Sequence, residues 1–532
     1  MGARMEIIDF ETISVDTVGR EAIHAIALGG LDYGDTLRAA IVKTGPFTSL
    51  ILNHVGSVGG IQRFCITSQR QRTVDVRIFG AKVRFVEIQA DIEKPLPGFP
   101  LVGLPEDGLS PKAAWTKSGF KVLAKGLREH TGAFQVMTGT GPKIIVPNRF
   151  AEEFRKHENA NLCQTFGQDF FAGWRGFDGI TFLTKHERTF SLGLVADAIV
   201  NEARVSIFNI FETPKEWLEI QLKDKIGELV ARLSSRAFLG EELCRNPKWL
   251  QIAQKHTMDI VLWPIAYWLN PFTARLRRQI EKHKERVQQA LAAGKKPEKG
   301  SDALGWMVMQ AGGRDIDYAA GQLGMSVVGI HTTTEALSEA IVDLCNNPDL
   351  FEPLRSEIVE VVQKEGWSRA ALYQMKLMDS FLKESQRMHP SSAVTVNRLL
   401  LGNIRLSDGT MLPKGARMFI AGRFFDPTLY PDPDKFDAYR FLQARSQDGQ
   451  SNNWQHTSMT PEHLGFGYGD HGCPGRFFAS AELKIALSFL LLHYDWQLPD
   501  LQDNLFMTFG VATILSPKCR VSFRVRRAEI EL

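Results

Sequence analysis

Several features that would assign this chain to a class at a glance are missing from it. Its six cysteines, Cys65, Cys163, Cys244, Cys345, Cys473 and Cys519, are scattered over 532 residues with no C-x-x-C pair. That spacing suggests neither a disulfide framework nor a zinc site. The formal net charge is only +3, so no global field points to nucleic acid as a partner. No N-x-[ST] sequon occurs, which favours a chain facing the cytosol. Residues 1–30 lack the basic start and apolar stretch of a signal peptide. No apolar run reaches the roughly 18 residues of a membrane-crossing helix. The most apolar early stretch, Phe47 to Val58, is short and carries Asn53 and His54. Internal repeats and low-complexity tracts are also missing, although Gly294 to Gly300 (GKKPEKG) reads as a solvated linker.

What is present is the composition of a globular protein with a large core. Hydrophobic residues make up 44% and charged residues 23%, and the length allows one large catalytic domain plus an extension. Residues 1–94 read as an atypical N-terminal extension, with strand-like alternation from Thr73 to Ile92. Lys94-Pro-Leu-Pro-Gly-Phe-Pro100 punctuates the chain, because three prolines in seven residues forbid a helix. Residues 95–532 read as one mainly helical domain with small β-sheets. Helical patterning runs from Ala196 to about Phe238, broken near Pro214, then over Asp317 to Asn346, Asp349 to Lys364 and Arg369 to Met388. The last of these should stop before His389-Pro390. Turns are expected at Ser407-Asp408-Gly409 and Pro413-Lys414-Gly415. A final helix is predicted from Pro474 to about Tyr494.

The most informative stretch is Phe466-Gly-Tyr-Gly-Asp-His-Gly-Cys473-Pro-Gly-Arg-Phe-Phe-Ala479. Glycines around one cysteine let the backbone turn tightly and approach a flat object closely. Pro474 suits the first position of the following helix. Cys473 would then sit at a helix N-terminus, where unpaired N–H groups favour a thiolate. His471 can donate to an acidic group on a cofactor. Two other readings compete at this point. Most lone cysteines are small buried hydrophobes, and Gly467, Gly469 and Gly472 also spell G-x-G-x-x-G. A dinucleotide loop, however, needs a preceding hydrophobic strand and a βαβ unit, and Thr460 to Gly465 supplies neither.

The loop resembles the haem-binding signature of the cytochrome P450 family, F-x-x-G-x-[R/H]-x-C-x-G, through Phe466, Gly469, His471, Cys473 and Gly475. The form H-x-C-P-G-R-F-F-A is similar to fungal members of secondary metabolism. The resemblance implies the cytochrome P450 fold, mainly α with small β-sheets, and haem b with Cys473 as the axial metal ligand. Glu384 and Arg387, three apart on one helix face, resemble the family's E-x-x-R, and Arg440 would be the third member of that group. Ala438 and Tyr439 depart from the usual P-E-R-F. Arg398 sits where the family often has a propionate-binding arginine. Val328-Gly-Ile-His331-Thr332-Thr-Thr334 resembles the stretch that crosses the distal haem face, which makes Thr332 the residue that hydrogen-bonds bound oxygen. Three adjacent threonines are poor helix formers, so a local kink or opening is expected there. His331 replaces the usual acid and Val328 the usual small residue. An imidazole can still relay protons near neutral pH.

By resemblance, Val327 and Val328 form the pocket ceiling, and Val394, Thr395, Val511 and Ala512 its sides. Small, mostly apolar residues suit a bulky hydrocarbon such as a terpenoid. The implied reaction inserts one oxygen atom from O2 into an apolar small molecule. Electrons would come from NADPH through a separate NADPH-cytochrome P450 reductase, because no flavin or NADPH domain is evident in the sequence. The family places such an enzyme on the cytosolic face of the endoplasmic reticulum, with membrane association but no anchor visible here. A haem-thiolate rearrangement or peroxide-using enzyme stays open, supported by His331 alone. A non-catalytic haem-binding protein stays open too, although Thr332, Glu384, Arg387 and Cys473 occurring together argue against it.

Overall fold

A computed structural model describes residues 94–532 apart from 171, 173–177, 186–195, 248, 251–284, 286–288, 290–291, 294–302, 312–315, 500–504 and 532. Before residue 94 it describes the backbone of five strands: β1 (Leu37–Thr44), β2 (Phe47–His54), β3 (Ile66–Thr67), β4 (Arg72–Ile78) and β5 (Ala81–Glu87). They form one sheet in the order β2-β1-β5-β4-β3. The alternation read from Thr73 onward falls on β4 and β5. The linker expected at Gly294 to Gly300 lies outside the described residues.

Helices dominate the rest. In chain order they are α1 (Pro111–Glu129), α2 (Leu162–Asp169), α3 (Asp178–Lys185), α4 (Ala196–Phe211), α5 (Leu222–Cys244) and α6 (Ala303–Ala311). They continue with α7 (Tyr318–Asn346), α8 (Phe351–Glu365), α9 (Arg369–Gln374), α10 (Lys376–Met388), α11 (Arg440–Arg445) and α12 (Arg476–His493). A five-stranded sheet of β6 (Phe134–Thr138), β7 (Gly141–Val146), β8 (Ala160–Asn161), β10 (Val394–Leu400) and β13 (Arg417–Ala421) has the order β6-β7-β13-β10-β8. Between them in sequence lie β9 (Leu218–Gln221), β11 (Ile404–Arg405) and β12 (Met411–Leu412), followed by β14 (Tyr494–Gln497), β15 (Phe506–Phe509), β16 (Ala512–Leu515) and β17 (Arg520–Val525). These make the small sheets β14-β17-β9, β11-β12 and β15-β16.

Helix α7 is the axis of the fold. Asp317 caps it by accepting the Ala320 N–H at 3.0 Å. Its buried residues Ile330, Leu337, Ile341 and Leu344 recur at helical spacing, and α3, α5, α10 and α12 pack against it. Fully burying each such side chain is worth about 1.5–3 kcal/mol, so the apolar stripe fixes where the rest of the helix points.

The break expected near Pro214 is present, with α4 ending at Phe211, α5 starting at Leu222 and strand β9 between them. Three local expectations need correction. The helix read from Arg369 to Met388 breaks at Met375, because the Glu357 carboxylate accepts the Leu377 and Met378 N–H groups at 2.7 and 2.9 Å and starts a new helix there. The final helix begins at Arg476 with Gly475 as its N-cap, so Pro474 lies in the turn before it. Helix α7 runs unbroken through its threonines. The hydroxyls of Thr332 and Thr334 donate back to the carbonyls of Val328 and Ile330 at 2.8 and 2.7 Å, which satisfies them without opening the helix.

Candidate active site

The cysteine loop is built by its own backbone. Gly467 N–H donates to Leu464 O at 2.9 Å, Gly472 N–H to Gly469 O at 3.0 Å, and Cys473 N–H to Phe466 O at 2.8 Å. Gly467 and Gly469 adopt φ of 75° and 71°, the left-handed region that glycine enters without strain. A Cβ on Gly469 would also collide with the Arg155 carbonyl, which the neighbouring Asp470 N–H already holds at 3.0 Å. Turns nested in this way hold Cys473 at the edge of a cavity, with the Gly475 and Arg476 N–H groups donating to its sulfur. Burial pushes the Cys473 thiol up, while those N–H groups and the Arg476 charge pull it down. Burial is the larger effect in the protein alone, and a metal cation held by the sulfur would add positive charge that favours the thiolate.

Beneath the loop lies a buried ionic knot. Glu384 and Arg387 are both fully buried, with Arg387 Nε and Nη2 each 2.8 Å from a Glu384 oxygen. Arg440 Nε and Asp437 N–H donate to Glu384 Oε1 at 3.2 and 3.0 Å. Arg387 Nη1 also donates to the carbonyls of Phe424 and Pro433, both at 2.7 Å. The departure at Ala438 does no harm here, because only its backbone is used: Ser380 donates to Ala438 O at 2.6 Å. The knot ties α10 to the segment before α11.

Above the loop, a cavity of about 1130 Å³ separates Cys473 from α7. Small-molecule sites are usually about 300–1,000 Å³, so this volume accommodates a large flat group and a further small molecule. Phe466, His471, Cys473 and Gly475 line one side, and Val328, His331 and Thr332 line another. His331 Nε2 is buried with no hydrogen-bond partner among the described residues. Burial, aided by the Lys223 charge, pushes His331 down to about 4. The imidazole is therefore neutral at physiological pH rather than poised near its own titration point, as the sequence had suggested.

Other expected residues fall differently. Arg398 is buried in β10 and is not part of the cavity lining. It donates to Asn397 O at 2.9 Å and Tyr468 O at 3.4 Å, bracing that strand against the cysteine loop. Val327 packs into the large apolar core, and Val394 and Val511 are buried in a separate cluster around Trp115. Thr395 is partly buried in β10, its hydroxyl without a partner among the described residues, and Ala512 opens β16. None of these five lines the cavity; Thr513 and Ile514 do so in place of Val511 and Ala512. Sequence reasoning missed Lys156 and His157, carried to the cavity just ahead of β8, and Glu335 and Glu339 on α7. Only the glutamates left a signal, a spacing of four from His331.

The residues present fit a haem. The Cys473 sulfur, held in its glycine-rich loop, faces a cavity of sufficient size that Cys163 also lines, and His471, Lys156 and His157 offer donors along it. Among the described residues no group of three or more His, Cys, Asp or Glu side chains could hold a metal ion, so an iron must bring other ligands of its own.

Comparison with known proteins agrees. The family model for cytochrome P450 matches residues 251–523. Cytochrome P450 monooxygenase bsc2 of Alternaria brassicicola is 37% identical over 479 residues, covering 82% of this chain and 91% of that protein. Cytochrome P450 monooxygenase 1 of Gibberella fujikuroi is 35% identical over 435 residues, covering 75% and 99%. Among solved structures, a retinoic acid-bound cyanobacterial CYP120A1 superposes with a TM-score of 0.57 at 20% identity, covering 81% of this chain and all of that one, which shows a shared fold. Fold and site define an oxidoreductase of the haem-thiolate class. The chain belongs to the cytochrome P450 family, among fungal monooxygenase relatives.

Proposed function

We propose that this enzyme inserts one oxygen atom from O2 into an apolar small molecule, a terpenoid or other secondary-metabolite intermediate, using electrons from NADPH delivered by a separate NADPH-cytochrome P450 reductase. The observation that carries the reading is the Cys473 sulfur opening onto the same cavity as Thr332. Cys473 would hold the iron of haem b through its sulfur, Phe466, Gly469 and Gly475 would shape the loop around it, and His471 would donate a hydrogen bond to an acidic group of the cofactor. Bound haem supplies oxygen activation, and the protein supplies ligand, protons and pocket.

The chain's own residues do the rest. Gly475 and Arg476 N–H groups stabilise negative charge on the sulfur, and Arg476 Nη1 braces the loop through Cys473 O at 2.9 Å. Thr332 presents a hydroxyl to the cavity that exchanges its bond to Val328 O for one to a ligand. His331, kept neutral by burial, accepts a proton at one ring nitrogen and releases it from the other. Apolar residues such as Val328, Phe238 and Ile514 exclude water from the reacting face. Residues 1–94 act as an extension ahead of the catalytic domain 95–532. The enzyme works at the cytosolic face of the endoplasmic reticulum. No helix among the described residues is long and apolar enough to cross a membrane.

Turnover with reductase, NADPH and isotopically labelled dioxygen tests the reading on terpenoid and polyketide candidates. One labelled oxygen atom per product molecule is expected. Unlabelled product, or product formed equally well from peroxide without NADPH, overturns it.

A further inference from the structure

Along the cavity side of α7, ionisable residues recur every four positions: His331, Glu335, Glu339 and Asp343. Four residues advance about 6 Å along a helix and return to nearly the same face. His331, Glu335 and Glu339 line the cavity, as does His389, whose Nε2 lies 2.8 Å from Asp343 Oδ1. Buried polar atoms ordinarily have hydrogen-bond partners. Within the described structure, His331 Nε2, Glu339 Oε1 and Asp343 Oδ2 have none. Three open positions on one helical stripe are a poor way to hold a fold together and a good way to hold water or a moving proton.

The groups differ in a way that gives the stripe direction. Glu339 is only 4% exposed. Burial, reinforced by the Glu335 and Asp343 carboxylates on the same helix and opposed by Lys223 on α5, raises its carboxyl well above the usual range. Glu335, one turn nearer the threonines, is paired with Lys223 Nζ at 2.6 Å and accepts the Leu515 N–H. A buried carboxyl whose charged form is disfavoured thus stands one turn from a carboxylate held by a cation. On the other side of Glu339, Asp343 is bonded to His389, which stacks on Phe506 at 3.9 Å.

We propose that His331, Glu335, Glu339 and Asp343 form a proton-transfer stripe from His389 to the Thr332 hydroxyl, with Glu339 as the group that stores the proton. The proposal rests on the monooxygenase reading, which needs protons brought into a largely apolar cavity. In one transfer the Glu339 O–H bond breaks, and its proton passes through cavity water to the Glu335 carboxylate. Glu335 hands it to His331 Nε2, His331 releases one to the Thr332 oxygen, and Thr332 gives up its own hydroxyl proton to a basic oxygen atom of a ligand bound in the cavity. Glu339 regains a proton through Asp343 from His389, which is recharged from solvent. Each group gains and loses one proton, and no electrons move.

Infrared spectroscopy of the purified full chain tests the storage step. The parent should show at neutral pH a carbonyl band of a protonated carboxylic acid that is missing from Glu339→Gln. A second experiment needs no identified substrate: NADPH oxidation with reductase and dioxygen alone, in light and heavy water. Glu339→Gln should slow it several-fold and enlarge the solvent isotope effect. Glu339→Asp, which keeps the acid, should recover part of the rate. A structural role would be served at least as well by Gln as by Asp. An unchanged carbonyl band in Glu339→Gln, or a parental rate and isotope effect, overturns the proposal. Failure of the underlying reading looks different: the parent itself would then lack the carbon monoxide spectrum of a thiolate-bound haem.

Discussion

Two buried glutamates, Glu384 beneath the cysteine loop and Glu339 across the cavity, have opposite surroundings. Glu384 receives two hydrogen bonds from one edge of the Arg387 guanidinium, one from Arg440 and one from the Asp437 backbone. Glu339 is almost as deeply buried, yet its Oε1 has no partner among the described residues. A buried charge with every valence filled fixes a geometry. A buried acid left open costs free energy that only a ligand, water or a proton could return. The side of the molecule that holds the sulfur is therefore scaffold, and the side facing it is where chemistry has room.

The largest expected effect breaks that contrast directly. Glu384→Gln leaves the fully buried Arg387 charge without its counter-ion and should cost about 3–5 kcal/mol, read as a lower denaturant midpoint and poor haem retention. Glu339→Gln removes an unpartnered acid and should cost less than about 1 kcal/mol. Equal losses would erase the distinction between scaffold and open site.

A smaller effect separates glycines of the loop from glycines elsewhere. Gly469→Ala combines left-handed strain with a clash against the Arg155 carbonyl and should cost about 1–3 kcal/mol, with loosened haem. Gly409, at φ 89° in the expected Ser407 turn, has open space around it, so Gly409→Ala carries the dihedral strain alone. Equal losses in thermal melts of the two variants would mean the close approach at Gly469 is unimportant.

The smallest effect is a pH slope. His331 titrates at about 4 in the folded chain against 6.5 when exposed. Between those values the unfolded state binds a proton that the folded state refuses. The stability linked to His331 is thus full above pH 6.5 and lost as pH falls toward 4. His331→Gln should flatten that part of the stability curve. An identical curve in parent and variant would show that the ring is not kept neutral by burial.

The scaffold side was legible in the sequence because its determinants are local. Tight turns need Gly467 and Gly469, and Glu384 and Arg387 meet simply by being three apart on a helix that stops before Pro390. The open side was less legible because distant segments build it. Lys156 and His157 arrive only because β8 pairs with the end of β10, through Leu399 with Asn161 and Leu400 with Ala160. The pocket wall expected at Val511 and Ala512 lies two residues further along, at Thr513 and Ile514 of β16, a placement set by how that strand packs rather than by any local pattern. The break at Met375 depends on Glu357, nearly twenty residues earlier, which no local pattern reveals.

The most direct test of the whole account is the carbon monoxide spectrum of the reduced protein, recorded for the parent and for Cys473→Ser. The account predicts the long-wavelength Soret band of a thiolate-bound haem in the parent and its loss in Cys473→Ser, with Cys244→Ser and Cys345→Ser unaffected. A parental band that survives in Cys473→Ser would contradict it.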